Sequence, residues 1–397
     1  DSLFRIGSTS KMFVALAVLK LVEEGALSLN DKLADLAPEI EFKNQWEDTD
    51  PVRIVHLLEH TTGWDDIHLP EYAHSDPTPA TLKEGLDFHP HSRTSRWKPG
   101  SRMSYCNAGP PVAAYVVQKL TGQDFEAYVQ ENFFDPLGMT TATYRHSSDV
   151  QERGVTLYNG TEPQDYWHII MRPSGSINAS PNDMVKLASF FVNRGNVNGQ
   201  QLISEASLRR MEFTATTSAS AAGQEIGYGL HNYTSRHKSW IYREHNGGVN
   251  GGLTEFSYLP EAKVGHAIMI NSGSGAGYRE ISDLVRDFET RNLIPREEPV
   301  GVSPGPEHES IAGLYQPINP RQEVGRFLEQ MFGIQVLHFD GDDLQVSPLL
   351  DEDTRRYVAT SPNAYRDKET GAVSLVKVED PLAGPVVHNG TSVLKPV

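Results

Sequence analysis

The sequence predicts an α+β protein built in two units: an antiparallel sheet flanked by helices with a helical subdomain, then a small mainly-β C-terminal domain. Three observations carry that expectation. The segment from Ser8 to Glu24 is helical in pattern and apolar all round from Met12 to Leu19, which marks a buried helix rather than a surface one. Gly227 to Tyr233, Glu255 to Leu259 and Gly265 to Asn271 alternate as antiparallel strands do. Residues 295–309 are rich in Pro, Gly and Glu and read as a linker, so the domains fall at 1–294 and 310–397.

Each element has its own signal. A second helix is predicted from Pro51 to His60, closed by Thr61-Thr62-Gly63. Residues 64–103, rich in His, Pro, Asp and Ser, read as a long irregular excursion over one face. Helices follow from Ala108 to Leu120 and from Phe125 to Phe134, the latter closed by Asp135-Pro136-Leu137-Gly138. Another runs from Pro181 to Asn193, with Ser180 as N-cap and Gly195 just past its end. After the strands, Ile281 to Arg291 closes the first unit as a helix. Beyond the linker come short strands at Gly313 to Gln316, Gly333 to Phe339, Asp343 to Pro348, Val373 to Val378 and Ser392 to Lys395. A helix from Pro320 to Met331 interrupts them, and Asp340-Gly341 makes a hairpin turn.

Bulk properties exclude several functions. A net charge of −17, from 35 basic against 52 acidic residues, disfavours nucleic acid and anionic membranes as partners. The single cysteine, Cys106, rules out an intrachain disulfide framework and a Cys-rich zinc site. No stretch approaches the ~20 consecutive apolar residues of a membrane-spanning helix. The chain opens without the basic and apolar regions of a signal peptide.

Three short motifs carry chemistry. Ser-x-x-Lys by itself is weak, since it also occurs at Ser95/Lys98, Ser235/Lys238, Ser374/Lys377 and Ser392/Lys395. Ser8-x-x-Lys11 differs in standing on the first turn of a buried helix, where residues three apart share a face and a desolvated lysine can act as a base. The helix N-terminus also suits an oxyanion. Ser8 as a plain N-cap is the alternative. Tyr105-Cys106-Asn107 is the only Tyr-x-Asn among fifteen tyrosines. Its tyrosine could shuttle a proton and its asparagine bind a substrate carbonyl, or it could be a loop tyrosine ahead of a cap. Glu244-His245-Asn246-Gly247-Gly248 has the glycine density that lets backbone approach a ligand, or else is a flexible loop with an ordinary histidine.

As an ordered set, Ser8-x-x-Lys11, Tyr105-x-Asn107 and His245-Asn246-Gly247 resemble the motifs of the serine β-lactamase and penicillin-binding-protein group, which includes class C β-lactamases, DD-peptidases and family VIII carboxylesterases. Phe4-Arg5-Ile6-Gly7, His56-Leu57-Leu58-Glu59-His60-Thr61-Thr62-Gly63, Trp97-x-Pro99-Gly100 and Pro136-Leu137-Gly138-Met139 agree with it, so the resemblance spans about residues 1 to 290. It implies a β-lactamase/transpeptidase-like fold and a serine hydrolase without cofactor. Ser8 would be acylated, Lys11 and Tyr105 would act as bases, and Asn107, His245, Asn246 and Gly247 would bind substrate. The backbone N–H groups of Ser8 and Gly248 would form the oxyanion hole. The substrate would be a small ester, peptide or β-lactam, and a periplasmic or secreted location is implied. The tail from Ser310 is similar to lipocalin-like domains attached to some of these hydrolases. With all three motifs ahead of the linker, it is expected to shape access or assembly and to add no catalytic group.

Two departures stand out. The group usually carries Lys-Thr-Gly or Lys-Ser-Gly in the third motif, where a fixed cation meets the substrate carboxylate; this chain has His245, mostly neutral at pH 7. That points to esters, or to peptides and amides without a required carboxylate, ahead of efficient β-lactam turnover, unless an arginine from elsewhere supplies the cation. Only seven residues precede Ser8, where the group has tens including sheet strands, so the natural chain is expected to begin upstream. Two rival readings remain. His56-x-x-Glu59-His60 matches a zinc-metallopeptidase pattern, although no downstream acidic helix offers a third ligand. A hydrolase fold that only binds is the other, disfavoured by the intact Ser8, Lys11 and Tyr105. The Asn-x-Ser/Thr matches at Asn159, Asn178, Asn232 and Asn389 are treated as chance.

Overall fold

The computed structural model describes residues 2–305, 308, 310–351 and 353–397; Pro306, Glu307 and Glu309 of the expected linker lie outside the described residues. Four helices and a meander frame the first unit. They are α1 (Lys11–Glu23), α2 (Gly109–Thr121), α3 (Pro181–Val192) and α4 (Gly275–Thr290). The strands β1 (Tyr233–His237), β2 (Trp240–Val249), β3 (Gly252–Leu259) and β4 (Val264–Ile270) pair antiparallel in chain order. Strand alternation sorts the two faces of β3. Phe256 and Tyr258 pack against Phe191 of α3, while Glu255 and Ser257 face α4, where Arg286 meets Glu244 and Glu255. The sheet is thus flanked on both sides. The core runs through α1, whose residues Met12 to Val18 are wholly buried, on to Phe133, Phe134 and Leu187.

Several boundaries differ from the expectations. The Ser8–Glu24 segment begins as a 3₁₀ turn over Gly7–Ser10, and the α-helix starts at Lys11. The helix expected over Pro51–His60 is reduced to Ile54–Leu58, because His60 takes a left-handed φ of 55°. The Phe125–Phe134 helix widens into a π turn after Val129. Gly227–Tyr233 is not a strand: His231 has a φ of 48°, the chain folds back from Tyr228 to Tyr233, and the strand begins where that turn ends. Helix α4 starts earlier than Ile281, on the cap of Ser274, which accepts from Gly277 N–H.

The second unit is a closed barrel of eight antiparallel strands: β5 (Gly313–Pro317), β6 (Gln335–Asp340), β7 (Asp343–Pro348), β8 (Arg355–Ser361), β9 (Ala364–Asp367), β10 (Val373–Asp380), β11 (Gly384–Asn389) and β12 (Ser392–Pro396). Pairing of β5 with β12 closes it. β8, β9 and β11 carry no clear apolar alternation and were not expected; ladder closure orders them where local pattern does not. The helix expected over Pro320–Met331 is a 3₁₀ turn, Glu323–Gly325, followed by the helix Arg326–Phe332.

The barrel is bolted to the loop that carries Tyr105. Arg102 meets Asp380 in a buried two-bond pair, Nε to Oδ2 at 2.7 Å and Nη2 to Oδ1 at 2.6 Å. Arg102 also donates to the carbonyl of Ile318 at 3.2 Å, Ser104 Oγ donates to that of Pro320 at 3.0 Å, and Asn319 donates to that of Met103 at 2.7 Å.

Candidate active site

The 3₁₀ turn at Gly7–Ser10 and the glycines of β2 lie against each other. A Cβ on Gly247 would stand 1.9 Å from the carbonyl oxygen of Ile6, and one on Gly7, whose φ is +53°, would stand 2.8 Å from Gly248 N. Only glycine allows that approach. Thr9 Oγ1 pins the seam by donating to the carbonyl of His245 at 3.1 Å. The Gly-rich run is therefore the end of a ten-residue strand, not a loop. The β2–β3 hairpin closes on Val249 and Gly252, so alternation along the ladder turns the N–H of Gly248 away from β3 and toward the Ser8 turn.

Lys11 is wholly buried, with Nζ 3.0 Å from Ser8 Oγ and 2.6 Å from the carbonyl oxygen of Ser174. Burial lowers its pKa to about 7, against the opposing pull of Asp66. As a free amine it keeps the donation to Ser174 and offers its lone pair to the Ser8 hydroxyl. The Tyr105 ring centre lies 5.1 Å from Lys11 Nζ. Burial raises the Tyr105 pKa above its ordinary value, with a hydrogen bond to Ser8 acting the other way, so the phenol keeps its proton.

Asn107 is held by Asp66, which accepts from its backbone N–H at 2.7 Å and from Nδ2 at 3.1 and 3.3 Å; its carbonyl accepts from Ser174 Oγ at 2.6 Å. His245 has both ring nitrogens engaged, Nδ1 with the carbonyl of Asn246 at 2.7 Å and Nε2 with Tyr228 Oη at 2.6 Å. The carbonyl can only accept, so the proton sits on Nδ1 and Tyr228 donates to Nε2. Tyr228 Oη in turn meets His60 Nε2 at 3.2 Å, and His60 Nδ1 accepts from Cys106 N–H at 3.2 Å. Every proton in this buried chain is assigned with His245 neutral. Burial and the charge of Lys11 lower the His245 pKa to about 3. Asn246 also lines the cavity, and its buried Oδ1 has no hydrogen-bond partner among the described residues.

These groups line one cavity of about 840 Å³, which Ser8, Tyr105, Asn107, His245, Gly248 and Arg321 share. Sequence reasoning named all but the last. It also missed Asp66, Ser174 and Tyr228, which hold the named residues in place; none lies in a motif, and only the tertiary fold brings them there.

The zinc pattern does not assemble. The Glu59 carboxylate is taken up by Arg210, the N–H groups of Ala215 and Thr216, and Thr216 Oγ1. His56 Nδ1 accepts from Arg53 N–H, and His60 belongs to the chain just described. Among the described residues, His68, Glu71 and His89 do bring ligand-type atoms within 4.8 Å of one another, and of these Glu71 lines the cavity. There His68 Nδ1 and His89 Nε2 hydrogen-bond directly at 3.0 Å.

Comparison with known proteins agrees with this fold. The beta-lactamase family model matches residues 1–288. The D-alanyl-D-alanine-carboxypeptidase/endopeptidase AmpH of Escherichia coli is 25% identical over 323 residues, covering 73% of this chain and 76% of its own. Among solved structures, an octameric penicillin-binding protein homologue from Pyrococcus abyssi superposes with a TM-score of 0.60 at 20% identity, over 99% of this chain and 88% of that one. The D-amino acid amidase of Ochrobactrum anthropi, complexed with D-phenylalanine, gives 0.60 at 22% identity, over 74% and 86%.

Proposed function

Because the chain belongs to the beta-lactamase family, and is a hydrolase of that serine-dependent kind, we propose that it works through an acyl-enzyme on Ser8. The observation that carries this reading is the 3.0 Å contact between Ser8 Oγ and a lysine whose pKa burial brings to about 7. Lys11 takes the hydroxyl proton as Oγ attacks the carbonyl carbon of an ester or amide. The N–H groups of Ser8 and Gly248 receive the developing oxyanion. Tyr105, protonated at rest, gives its proton to the leaving group and recovers one from Lys11. Water then cleaves the ester to Ser8, with Lys11 again as base. Asn107, His245, Asn246 and Gly247 form the wall against which substrate lies.

The substrates are esters and D-configured peptide or amide bonds, ahead of β-lactams. His245 is neutral, so β2 offers a bound substrate hydrogen-bonding groups and no fixed charge. The E. coli relative and the amidase, named for D-alanyl and D-amino acid substrates, support the same class. The test is labelling with a fluorophosphonate, followed by peptide mass spectrometry, with and without EDTA. An adduct on Ser8 that survives chelator, and faster turnover of nitrophenyl butyrate or a D-aminoacyl amide than of a cephalosporin, is expected. Activity lost to EDTA with no serine adduct would overturn the mechanism; a cephalosporin turned over faster than the ester would overturn the substrate class.

A further inference from the structure

We propose that Arg321, which lies beyond the linker between the first two barrel strands, is the specificity-determining cation of this site and binds a substrate carboxylate on the leaving-group side. The inference rests on the acyl-enzyme reading above.

Arg321 is the one lysine or arginine among the described residues that line the cavity. Its guanidinium carbon lies 4.8 Å from the centre of the Tyr105 ring. It is aimed from behind: Nε donates to Asp66 Oδ2 at 2.7 Å, while Asp66 is itself buried and also accepts from Ile67 N–H at 2.8 Å and from Asn107. The backbone is fixed as well, since Asp66 N–H donates to the carbonyl of Arg321 at 3.2 Å and Arg321 N–H donates to Glu329 Oε2 at 2.9 Å. With Nε occupied, Nη1 and Nη2 carry no hydrogen bond to the described residues, and the side chain keeps 55% of its surface exposed. Two parallel N–H donors on an oriented plane match a carboxylate.

The position says on which side of the scissile bond the carboxylate lies. Tyr105 serves the departing amine, so an anion beside Tyr105 belongs to the leaving group. A free amino acid released from the C-terminus of a peptide has that charge one residue beyond the scissile bond; a fused-ring lactam carries its own on the carbon beside the departing nitrogen, and the cephalosporin arm below separates the two. The cation that β2 lacks at His245 is thus supplied from the second unit.

The test compares N-acyl-D-Ala-D-Ala with the same peptide ending in D-alaninamide, and with nitrophenyl acetate, on the full chain and on Arg321→Ala and Arg321→Lys. The full chain is expected to favour the acid over the amide in kcat/KM by about ten- to a hundredfold, the usual range for a charge-assisted bond. Arg321→Ala should collapse that ratio, mainly through KM, and Arg321→Lys should restore part of it. The acetate ester, which has no anion, reports general damage. A ratio near one in the full chain, or a ratio unchanged in Arg321→Ala, overturns the proposal while leaving ester turnover and Ser8 labelling intact. Absence of Ser8 labelling instead overturns the reading beneath it. A cephalosporin with a kcat/KM above that of the peptide acid, lost in Arg321→Ala, would assign the carboxylate to a lactam and overturn the peptide assignment.

Discussion

The interior around α1 and the interior of the barrel solve opposite problems. The barrel fills its centre with side chains such as Leu344, Tyr357, Tyr365, Leu375 and Leu394, all wholly buried, as an eight-stranded barrel of this size can. Its interior is packing. The first unit instead takes Lys11, His60, Asp66 and His245 out of water beside an open cavity and holds each with fixed partners. Burying an ionisable group is costly unless it is neutralised or paired, and that cost is what lowers the Lys11 pKa. The difference teaches where to look for chemistry: in the region that keeps polar groups buried at a stabilisation cost, not in the better-filled core. The two regions meet at the Tyr105 loop, where the barrel contributes its clamp and Arg321.

The largest expected effects test whether the chemistry resides wholly in the first unit. Lys11→Ala and Tyr105→Phe should each lower turnover of a small ester by about a hundredfold or more, the scale of general acid–base catalysis. Circular dichroism should show the fold retained. Near-wild-type rates in either variant would remove the role assigned to it.

Next comes the bolt between the units. Removing one member of a buried ion pair costs on the order of 3–5 kcal/mol, and the Arg102 and Asp380 side chains are only 8% and 1% exposed. Arg102→Ala should therefore split a single calorimetric transition into two and lower ester turnover as the Tyr105 loop loosens. One unchanged transition would show that the units are held by other contacts.

A cavity inside the barrel should do less to the chemistry. Leu394→Ala removes a wholly buried side chain and is expected to cost about 2–5 kcal/mol in the barrel's unfolding. The rate of Ser8 labelling in the folded protein should stay within a factor of two or three. A larger fall would mean that barrel packing reaches the nucleophile.

The smallest effect is in the pH profile. Only the free amine of Lys11 can accept the Ser8 proton, so kcat/KM for a neutral ester should rise about tenfold per unit up to a pH of about 7 and level off above it. His245, with a pKa lowered to about 3, should add no inflection between pH 5 and 8. A His245→Gln variant that keeps the limb near 7 and a Lys11 variant that loses it would assign it. The reverse result would move the base to the histidine.

Much of this was legible beforehand because motif chemistry is local. Ser8 and Lys11 are one turn apart on a segment apolar enough to be buried, and burial is the largest cause of the lowered lysine pKa. The capped helix α3, the buried helix α1 and the hairpin at Asp340-Gly341 were likewise readable from neighbouring residues. The strands β8, β9 and β11 were not, since Arg355-Arg356 and Pro385 disguise them and their order comes from pairing with partners distant in sequence. The location of Ser8 in a 3₁₀ turn also escaped, because the contact of Gly7 with Gly248 that shapes the turn joins residues far apart in the chain.

By itself, the sequence determined the α+β class, the order of the three motifs, the substitution of histidine for a cation in the third, and a second β-rich unit. The class and the second unit follow from composition and periodicity over a few residues, while the motif order and the missing cation follow from the resemblance to the serine β-lactamase and penicillin-binding-protein group. Only the tertiary structure decided that His245 is locked neutral by Tyr228 and the carbonyl of Asn246, that Asp66 organises Asn107 and Arg321 together, and that a cation from beyond the linker faces Tyr105. Asp66 and Arg321 are 255 residues apart. No local pattern encodes a contact of that separation; it exists because the packing of the barrel against the Tyr105 loop leaves one buried carboxylate needing a partner and one arginine placed to reach it.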